Sequence, residues 1–130
     1  MTIEECYNKL GGDYGEVSKR LPSISLIEKF LIKFLKDDSF ENLCKGIEAG
    51  SRMEAFRAAH TLKGVCQNLG LGKLQDSAQV ITEVLRVTDA QDSAQMVIPA
   101  EAKELLEAVK SAYKMTTETI QAYGEEKSLL

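Results

Sequence analysis

The sequence predicts an all-α fold: an up-and-down antiparallel four-helix bundle with one or two short extra N-terminal helices. Apolar residues recur three and four positions apart along most of the chain, which is the spacing of one face of an amphipathic helix. No stretch shows the strict alternation of apolar and polar residues that a half-buried strand would have. Glycine and proline separate the periodic segments, and short connections favour antiparallel neighbours.

Two short helices are predicted before the bundle. Thr2 and Glu5 can form a capping box for the first helix, and Gly11-Gly12 ends it. Its inner residues are Ile3, Cys6, Tyr7 and Leu10. Residues 14–21 suit the second helix, which Pro22 stops because proline disfavours a helical conformation for the residue before it.

The first side of the bundle is predicted as two helical pieces that separate at Asp37-Asp38. Ser25 followed by Glu28 suits the start of the first piece. Its apolar stripe comprises Leu26, Ile27, Phe30, Leu31, Phe34 and Leu35. The second piece is predicted to start at Asp38, with Glu41 in its first turn. Its inner residues are Phe40, Leu43, Cys44 and Ile47.

Residues 51–70 predict one longer amphipathic helix. Ser51 and Glu54 indicate a capping box at its start, and Gly70 suits a left-handed residue at its end. With an advance of about 100° per residue, seven apolar residues fall on one broad face: Ala55, Ala58, Ala59, Leu62, Val65, Cys66 and Leu69. The opposite face comprises Met53, Phe56, Arg57, His60, Lys63, Gly64 and Gln67. His60, the only histidine, is therefore predicted to face solvent.

Two further helices complete the predicted bundle. After a tight corner at residues 70–72, a helix follows with Leu74, Ala78, Ile81, Val84 and Leu85 at helical spacing. Residues 88–97 lack periodicity and are expected to form the longest loop. Pro99 suits the first turn of the last helix, which is predicted to run to about Tyr123. Residues 124–130 are mostly polar and are expected to fray.

Length and composition limit the class of protein. With 130 residues and 44% hydrophobic content, the chain can form one domain, with residues 1–22 as an N-terminal extension and 23–123 as the bundle. No apolar run approaches the roughly 20 residues of a membrane span, and no signal segment begins the chain. The three cysteines show no paired spacing, so a cytoplasmic location with reduced thiols is expected. A net charge of −4 without a basic run argues against nucleic-acid binding.

The predicted outer face of the 51–70 helix has two features that a merely solvated surface does not need. Gly64 occupies mid-helix, where glycine costs about 1 kcal/mol relative to alanine. It lies one turn beyond His60, so it removes a side chain that would crowd the imidazole. Met53 and Phe56 place apolar surface beside the same imidazole, as a docking surface requires.

These residues resemble the signature of a known family. The sequence His60-Thr61-Leu62-Lys63-Gly64, with Leu69-Gly70 closing the helix, is similar to the motif of histidine-containing phosphotransfer (HPt) domains. The similarity extends in outline over residues 24–123 and is sharp over residues 55–74. It implies that His60 takes a phosphoryl group from a receiver-domain aspartate and passes it to another receiver's aspartate.

The same resemblance implies the partners of the chain. They are response-regulator receiver domains and a hybrid sensor kinase, bound by a monomeric module without a kinase or ATP-binding part. No cofactor or metal is expected in the chain, and any Mg²⁺ would belong to the partner receiver. A chemotaxis-type kinase's histidine domain is a close variant, but it would need a dimerisation and ATP module beyond this chain.

The chemistry expected of the outer face involves few side chains. A neutral imidazole is a competent nucleophile toward an acyl phosphate. Lys63, on the same face, should hold a transferring phosphoryl group electrostatically. Gln67 leans over Gly64 toward the imidazole, because helical side chains lean toward the N-terminus, and it can donate a hydrogen bond to a phosphoryl oxygen. Arg57 offers a positive rim for a receiver's acidic pocket.

Other chemistries are opposed by the residue pattern. A zinc site is disfavoured because there is one histidine and Cys66 projects to the core side of the same helix. The glycines near residue 12 follow no strand and precede no Gly-Lys-Ser/Thr sequence, so they do not indicate a phosphate-binding loop. The remaining alternative to phosphotransfer is a binding-only bundle that docks receivers without transfer.

Overall fold

The computed structural model describes residues 1–130 and consists of helices and their connections, without a strand, which confirms the all-α prediction. The α-helices are α1 (Ile3–Leu10), α2 (Tyr14–Arg20), α3 (Ile24–Phe34), α4 (Ser39–Glu48), α5 (Arg52–Leu69), α6 (Gly72–Leu85) and α7 (Glu101–Glu126). A short 3₁₀ helix, Ser93–Met96, lies between α6 and α7. No helix combines the length and the apolar character needed to cross a membrane.

The bundle is formed by α3 and α4 together, α5, α6 and α7. The most extensive packing joins α4 to α5, α5 to α6 and α6 to α7, while α3 and α4 both contact α7 and close the bundle. Apolar side chains from all seven α-helices form one buried cluster of 26 residues. The predicted four-helix architecture is therefore confirmed, and α5, which contains His60, lies between α4 and α6.

The N-terminal extension packs against one end of the bundle. Helix α1 contacts α7, and the buried Tyr7 hydroxyl donates a 2.8 Å hydrogen bond to the carbonyl oxygen of Leu69 at the end of α5. Arg20 of α2 donates to the carbonyl oxygens of Gln67 and Asn68, at 2.9 and 3.2 Å. The last carbonyls of a helix have no partner within the helix. The extension therefore satisfies the C-terminal end of α5.

One predicted helix start is shifted in the structure, and α4 starts directly after Asp38, as predicted, but without the expected cap. Ser23, not Ser25, caps α3, because its side chain accepts a 3.1 Å hydrogen bond from the backbone N–H of Leu26. Proline disfavours a helical conformation for the residue before it and not for those after it, so the chain enters the helix immediately after Pro22-Ser23. At α4 the Asp38 side chain makes no capping bond.

The capping groups at α4 and α5 also differ from the prediction. The Asp37 carboxylate, rather than that of Asp38, accepts the Ser39 N–H at 2.9 Å. Ser51 caps α5 as predicted, but the box is not completed, because the Glu54 carboxylate pairs with Arg57 at 2.9 Å. A neighbouring cation one turn along competes with the backbone N–H for that carboxylate.

The C-terminal part of the chain is more ordered than predicted. Helix α7 begins at Glu101, after Pro99, and extends to Glu126 rather than to about Tyr123. Residues 124–130 do not fray: Gly124 is buried, and Leu129 packs on the core and donates to the Gly124 carbonyl oxygen at 2.8 Å. Apolar packing of the tail onto the bundle outweighs its polar composition. The predicted loop at 88–97 includes the short 3₁₀ helix.

Candidate functional site

The inner face of α5 anchors the helix in the core. Of its seven predicted apolar residues, six are buried and only Val65 is half-buried. Small side chains allow α4 to approach closely, since a Cβ on Gly46 would lie 2.7 Å from the backbone nitrogen of Ala55. Close packing of this kind leaves little freedom for the helix to move. The opposite face of α5 is therefore presented to solvent on a rigid support.

His60 is exposed, as predicted, at the middle of this outer face. The Phe56 ring lies one turn before it, with ring centroids 5.9 Å apart and an interplanar angle of 50°. Phe56 and Met53 are half-buried, and Phe56 also packs against the core cluster. Arg57 is exposed. The predicted apolar patch beside the imidazole is present, but its largest member is partly shielded by the bundle.

Gly64 has no packing role in the structure. A Cβ built on it would have no heavy atom within 4 Å, whereas a Cβ on Gly46 or Gly124 would meet a neighbour at less than 3 Å. Gly64 therefore keeps open space one turn beyond His60. Lys63 is half-buried and Gln67 is exposed, and their spacing from His60 places both on the same side of α5.

The side of α6 that flanks this face adds two residues that the sequence did not indicate. The guanidinium of Arg86 lies 5.2 Å from the centroid of the Phe56 ring. It donates to both carboxylate oxygens of Glu83, at 3.1 Å from Nε and 2.8 Å from Nη2. These hydrogen bonds lower the pKa of Glu83, and the nearby charges of Arg86, Lys63 and His60 lower it further.

Arg52 fixes the end of α6 against the start of α5. Its guanidinium donates to the carbonyl oxygens of Leu85, Val84 and Arg86, at 3.0, 3.1 and 2.9 Å, and to that of Val97 at 3.2 Å. These carbonyls would otherwise lack partners at the helix end. The Arg52 bonds thus set the register in which Arg86 meets Phe56. Nothing in the sequence distinguishes Arg52 from other arginines of a helix start.

Two grooves flank α5, and neither includes His60. A polar groove of about 470 Å³ lies between α4 and α5 and is lined by Lys45, Arg57 and Thr61 among others. A more apolar groove of about 760 Å³, where α2, α3 and α5 meet, is lined by Leu21, Phe30 and Val65 among others. The imidazole is exposed outside both grooves. Neither groove therefore encloses a reactant at His60.

Metal chemistry has no support in the arrangement of ligands. No group of three histidine, cysteine, aspartate or glutamate side chains is placed to hold a metal ion. Cys66 is buried on the core side of α5, where burial raises the pKa of its thiol to about 12. A protonated, enclosed thiol is neither a metal ligand nor a nucleophile.

Comparison with known proteins identifies the class to which this fold and face belong. The family model of the Hpt domain matches residues 28–112, which span all of α4, α5 and α6. The chain belongs to the Hpt domain family. No curated protein and no solved structure matches it.

Family membership defines the general role of the chain. Hpt domains are histidine phosphotransfer modules of two-component phosphorelays, not kinases. They interact with the receiver domains of response regulators. The convex, exposed face of α5 is consistent with a site that meets another folded domain.

Proposed function

We propose that His60 is the phosphoacceptor of this module: it takes a phosphoryl group from the aspartyl phosphate of one receiver domain and passes it to the aspartate of another. The observation that supports this most directly is the exposure of the only histidine at the middle of a firmly packed helix, with open space at Gly64 beside it. The first receiver would belong to a hybrid sensor kinase and the second to a response regulator.

The transfer is a displacement at phosphorus. The lone pair of one imidazole nitrogen attacks, a nitrogen–phosphorus bond forms, and the bond between phosphorus and the aspartate oxygen breaks with its electron pair left on that carboxylate. The second ring nitrogen retains its proton through this step. In the second transfer, an aspartate oxygen of the next receiver attacks phosphorus, and the electron pair of the nitrogen–phosphorus bond returns to the imidazole.

Two neighbouring residues can bind the phosphoryl group, and a third leaves space for its approach. Lys63 and Gln67 lie one and two turns beyond His60, and helical side chains lean toward the N-terminus, so both can direct N–H groups toward it. Gly64 leaves room for the approaching acyl phosphate. No cofactor of the chain is required, and any Mg²⁺ is supplied by the receiver.

The docking surface proposed for the receiver surrounds the imidazole. Met53 and Phe56 provide apolar contact, and Arg57 provides a positive rim for an acidic receiver pocket. A binding-only bundle is the second candidate, but it needs neither an exposed imidazole nor a glycine in open space at mid-helix. Both features favour transfer over docking alone.

The test is phosphotransfer to His60→Gln. The parent chain and the variant are incubated with each phosphorylated receiver of the source organism, and acid-labile label on the chain is measured. Because His60 is exposed, we expect the variant to keep its helicity and thermal stability but to accept no label. Undiminished labelling of the variant would refute the proposal. Loss of helicity together with labelling would show that His60 is structural.

A further inference from the structure

We propose that Arg86 and Glu83 form an exchangeable pair, in which Arg86 leaves Glu83 to bind the phosphoryl group on His60 and Glu83 competes with that group for the guanidinium. This inference rests on the proposed role of His60. It assigns a phosphoryl-binding role to Arg86, the residue that follows α6, and a positioning role to Glu83 in the last turn of α6.

Arg86 and His60 lie beside the same aromatic ring. Its guanidinium is 5.2 Å from the Phe56 ring centroid, and that ring is 5.9 Å from the His60 ring centroid. Arg86 and His60 thus both adjoin the Phe56 ring. The Arg86 side chain is 40% exposed, so it can swing past this ring through solvent.

The backbone beneath Arg86 is held in place. Arg52 binds the carbonyl oxygens of Val84, Leu85 and Arg86, so the end of α6 is fixed to the start of α5. An exchange of partners therefore requires rotation of one side chain and no movement of a helix. The guanidinium of arginine matches both ligands, because its planar N–H groups bind carboxylate and phosphate oxygens in the same two-point manner.

The charges on this flank favour the exchange once His60 is phosphorylated. The Glu83 carboxylate has two cations near it, Lys63 of α5 and Arg86 at the end of α6, while Arg57 on α5 is paired with Glu54. Hydrogen bonds from Arg86 lower the pKa of Glu83, and the charges of Arg86, Lys63 and His60 lower it further. A phosphoryl dianion introduced there repels Glu83 and attracts Arg86.

An ion pair at i and i+3 is by itself common and contributes little. Three further pairs with this spacing occur on the surface: Lys19–Glu16, Arg57–Glu54 and Lys110–Glu107. Only the Arg86–Glu83 pair is recorded with its cation stacked on an aromatic ring that contacts the histidine. Because Glu83 competes with the phosphoryl group for Arg86, it lowers the stability of the phosphorylated state. The phosphoryl group is therefore passed on more readily.

The experiment measures the pKa of the phosphoryl group on His60 by phosphorus NMR, after labelling the full chain with phosphoramidate. A nearby cation favours the dianion and so lowers this pKa. We expect Arg86→Gln to raise the titration midpoint by about 0.5–1 pH unit, and Glu83→Gln to lower it by a similar amount. Glu107→Gln, which removes the acid of a matched pair on α7, should leave the midpoint unchanged.

The double variant separates exchange from simple repulsion. If Glu83 acts through Arg86, Glu83→Gln should shift the midpoint by less than half as much when Arg86 is already glutamine. Arg86→Lys, which keeps the charge but loses the two-point geometry, should restore part of the parent midpoint. An equal effect of Glu83→Gln in both backgrounds, or an unchanged midpoint in Arg86→Gln, would overturn the exchange.

Failure of the underlying function would look different. It would appear as an unlabelled parent chain, or as label that persists in His60→Gln. Both target side chains are on the surface, so thermal melts of the single variants should lie close to that of the parent and confirm that each variant is folded.

Discussion

At the scale of single residues, helix stability and access to the histidine oppose each other at Gly64. Glycine in mid-helix lowers stability by about 1 kcal/mol relative to alanine. At Gly46 and Gly124 close neighbours explain the glycine, but at Gly64 the space is open. Packing within the fold therefore does not explain the glycine at this position. We explain it by the space that an acyl phosphate needs when it approaches His60.

We predict that Gly64→Gln raises the free energy of unfolding by about 0.5–1 kcal/mol through helix propensity. The same change should slow phosphoryl transfer about tenfold or more, because the new side chain misplaces the incoming group. Urea melts and transfer rates on one variant check both signs. Gly46→Ala is the control and should be destabilised, since its Cβ would lie 2.7 Å from backbone. A Gly64→Gln variant with lower stability and normal transfer would contradict this explanation.

Phe56 is shared between the core and the outer face. From the sequence it is a docking residue, and in the structure it is half-buried, packs on the core cluster and lies under Arg86. A half-buried aromatic ring contributes to both stability and binding.

We therefore predict that Phe56→Ala lowers the free energy of unfolding by about 1–2 kcal/mol, a fraction of the 3–5 kcal/mol of a fully buried ring. It should also weaken receiver binding by about 1 kcal/mol or more if the ring is an anchor. Calorimetry and titration with a receiver measure the two effects. Arg57→Ala, at an exposed position, should melt like the parent and mainly lower the association rate and its salt dependence. If the Phe56→Ala variant binds the receiver normally, the docking surface must lie on another face of the bundle.

At the scale of helices, the N-terminal extension stabilises the end of the histidine helix. Tyr7 from α1 and Arg20 from α2 bind three consecutive carbonyls at the C-terminus of α5. The Tyr7 hydroxyl is the buried member of this set, and burial raises its pKa. A buried carbonyl that loses its donor keeps its desolvation penalty.

We predict that Tyr7→Phe lowers the free energy of unfolding by about 1–2 kcal/mol because the Leu69 carbonyl loses its side-chain donor. Denaturant midpoints at constant slope measure this change. Tyr14→Phe is the matched control: its ring centroid is 6.0 Å from that of Tyr7, but its side chain is only half-buried, so a change within about 0.5 kcal/mol is expected. Equal losses in both variants would show that the hydrogen bond to Leu69 contributes nothing specific.

At the scale of the whole molecule, all seven α-helices share one core, so we expect residues 1–130 to unfold in one transition. Two thiols lie in that core, and burial raises their pKa values from an ordinary 9.0 to about 11 for Cys6 and about 12 for Cys66. The folded state thus binds the thiol protons more tightly than the unfolded state. The stability that this contributes is complete below about pH 9 and is lost as pH rises toward 11–12.

We predict that the free energy of unfolding decreases above pH 9, with a slope of up to about 1.4 kcal/mol per pH unit for each buried thiol. Urea melts at pH 8, 9 and 10 measure the slope. Cys66→Ala should flatten the profile although it lowers stability at pH 8 by removing buried volume. A parent profile that is level from pH 8 to pH 10 would mean that the folded and unfolded states bind the thiol protons equally, which would contradict the prediction.

The sequence predictions were accurate where the interactions join residues close together in sequence. They were less accurate where the interactions join distant residues. The helix of His60 was predicted within a residue at each end, because its apolar period, Ser51 and Gly70 all act locally. The caps at Ser23 and Asp37 were missed by one or two residues, since neighbouring polar side chains are equally able to cap until the backbone direction is known. The tail was mispredicted because its order comes from packing on distant residues such as Ile32, which a Cβ on Gly124 would approach at 2.8 Å.

The sequence by itself determined the helical class, the inner and outer faces of α5, and the exposed histidine with lysine and glycine at fixed offsets. These depend on the 3.6-residue period of an α-helix, which relates residues that are close together in sequence. Only the tertiary structure decided which groups stand beside that face. Glu83 and Arg86 reach it through the register of α6 against α5, which Arg52 sets, and Arg20 and Tyr7 reach its far end through the fold of the extension. Such contacts join residues far apart in sequence, so no local pattern encodes them.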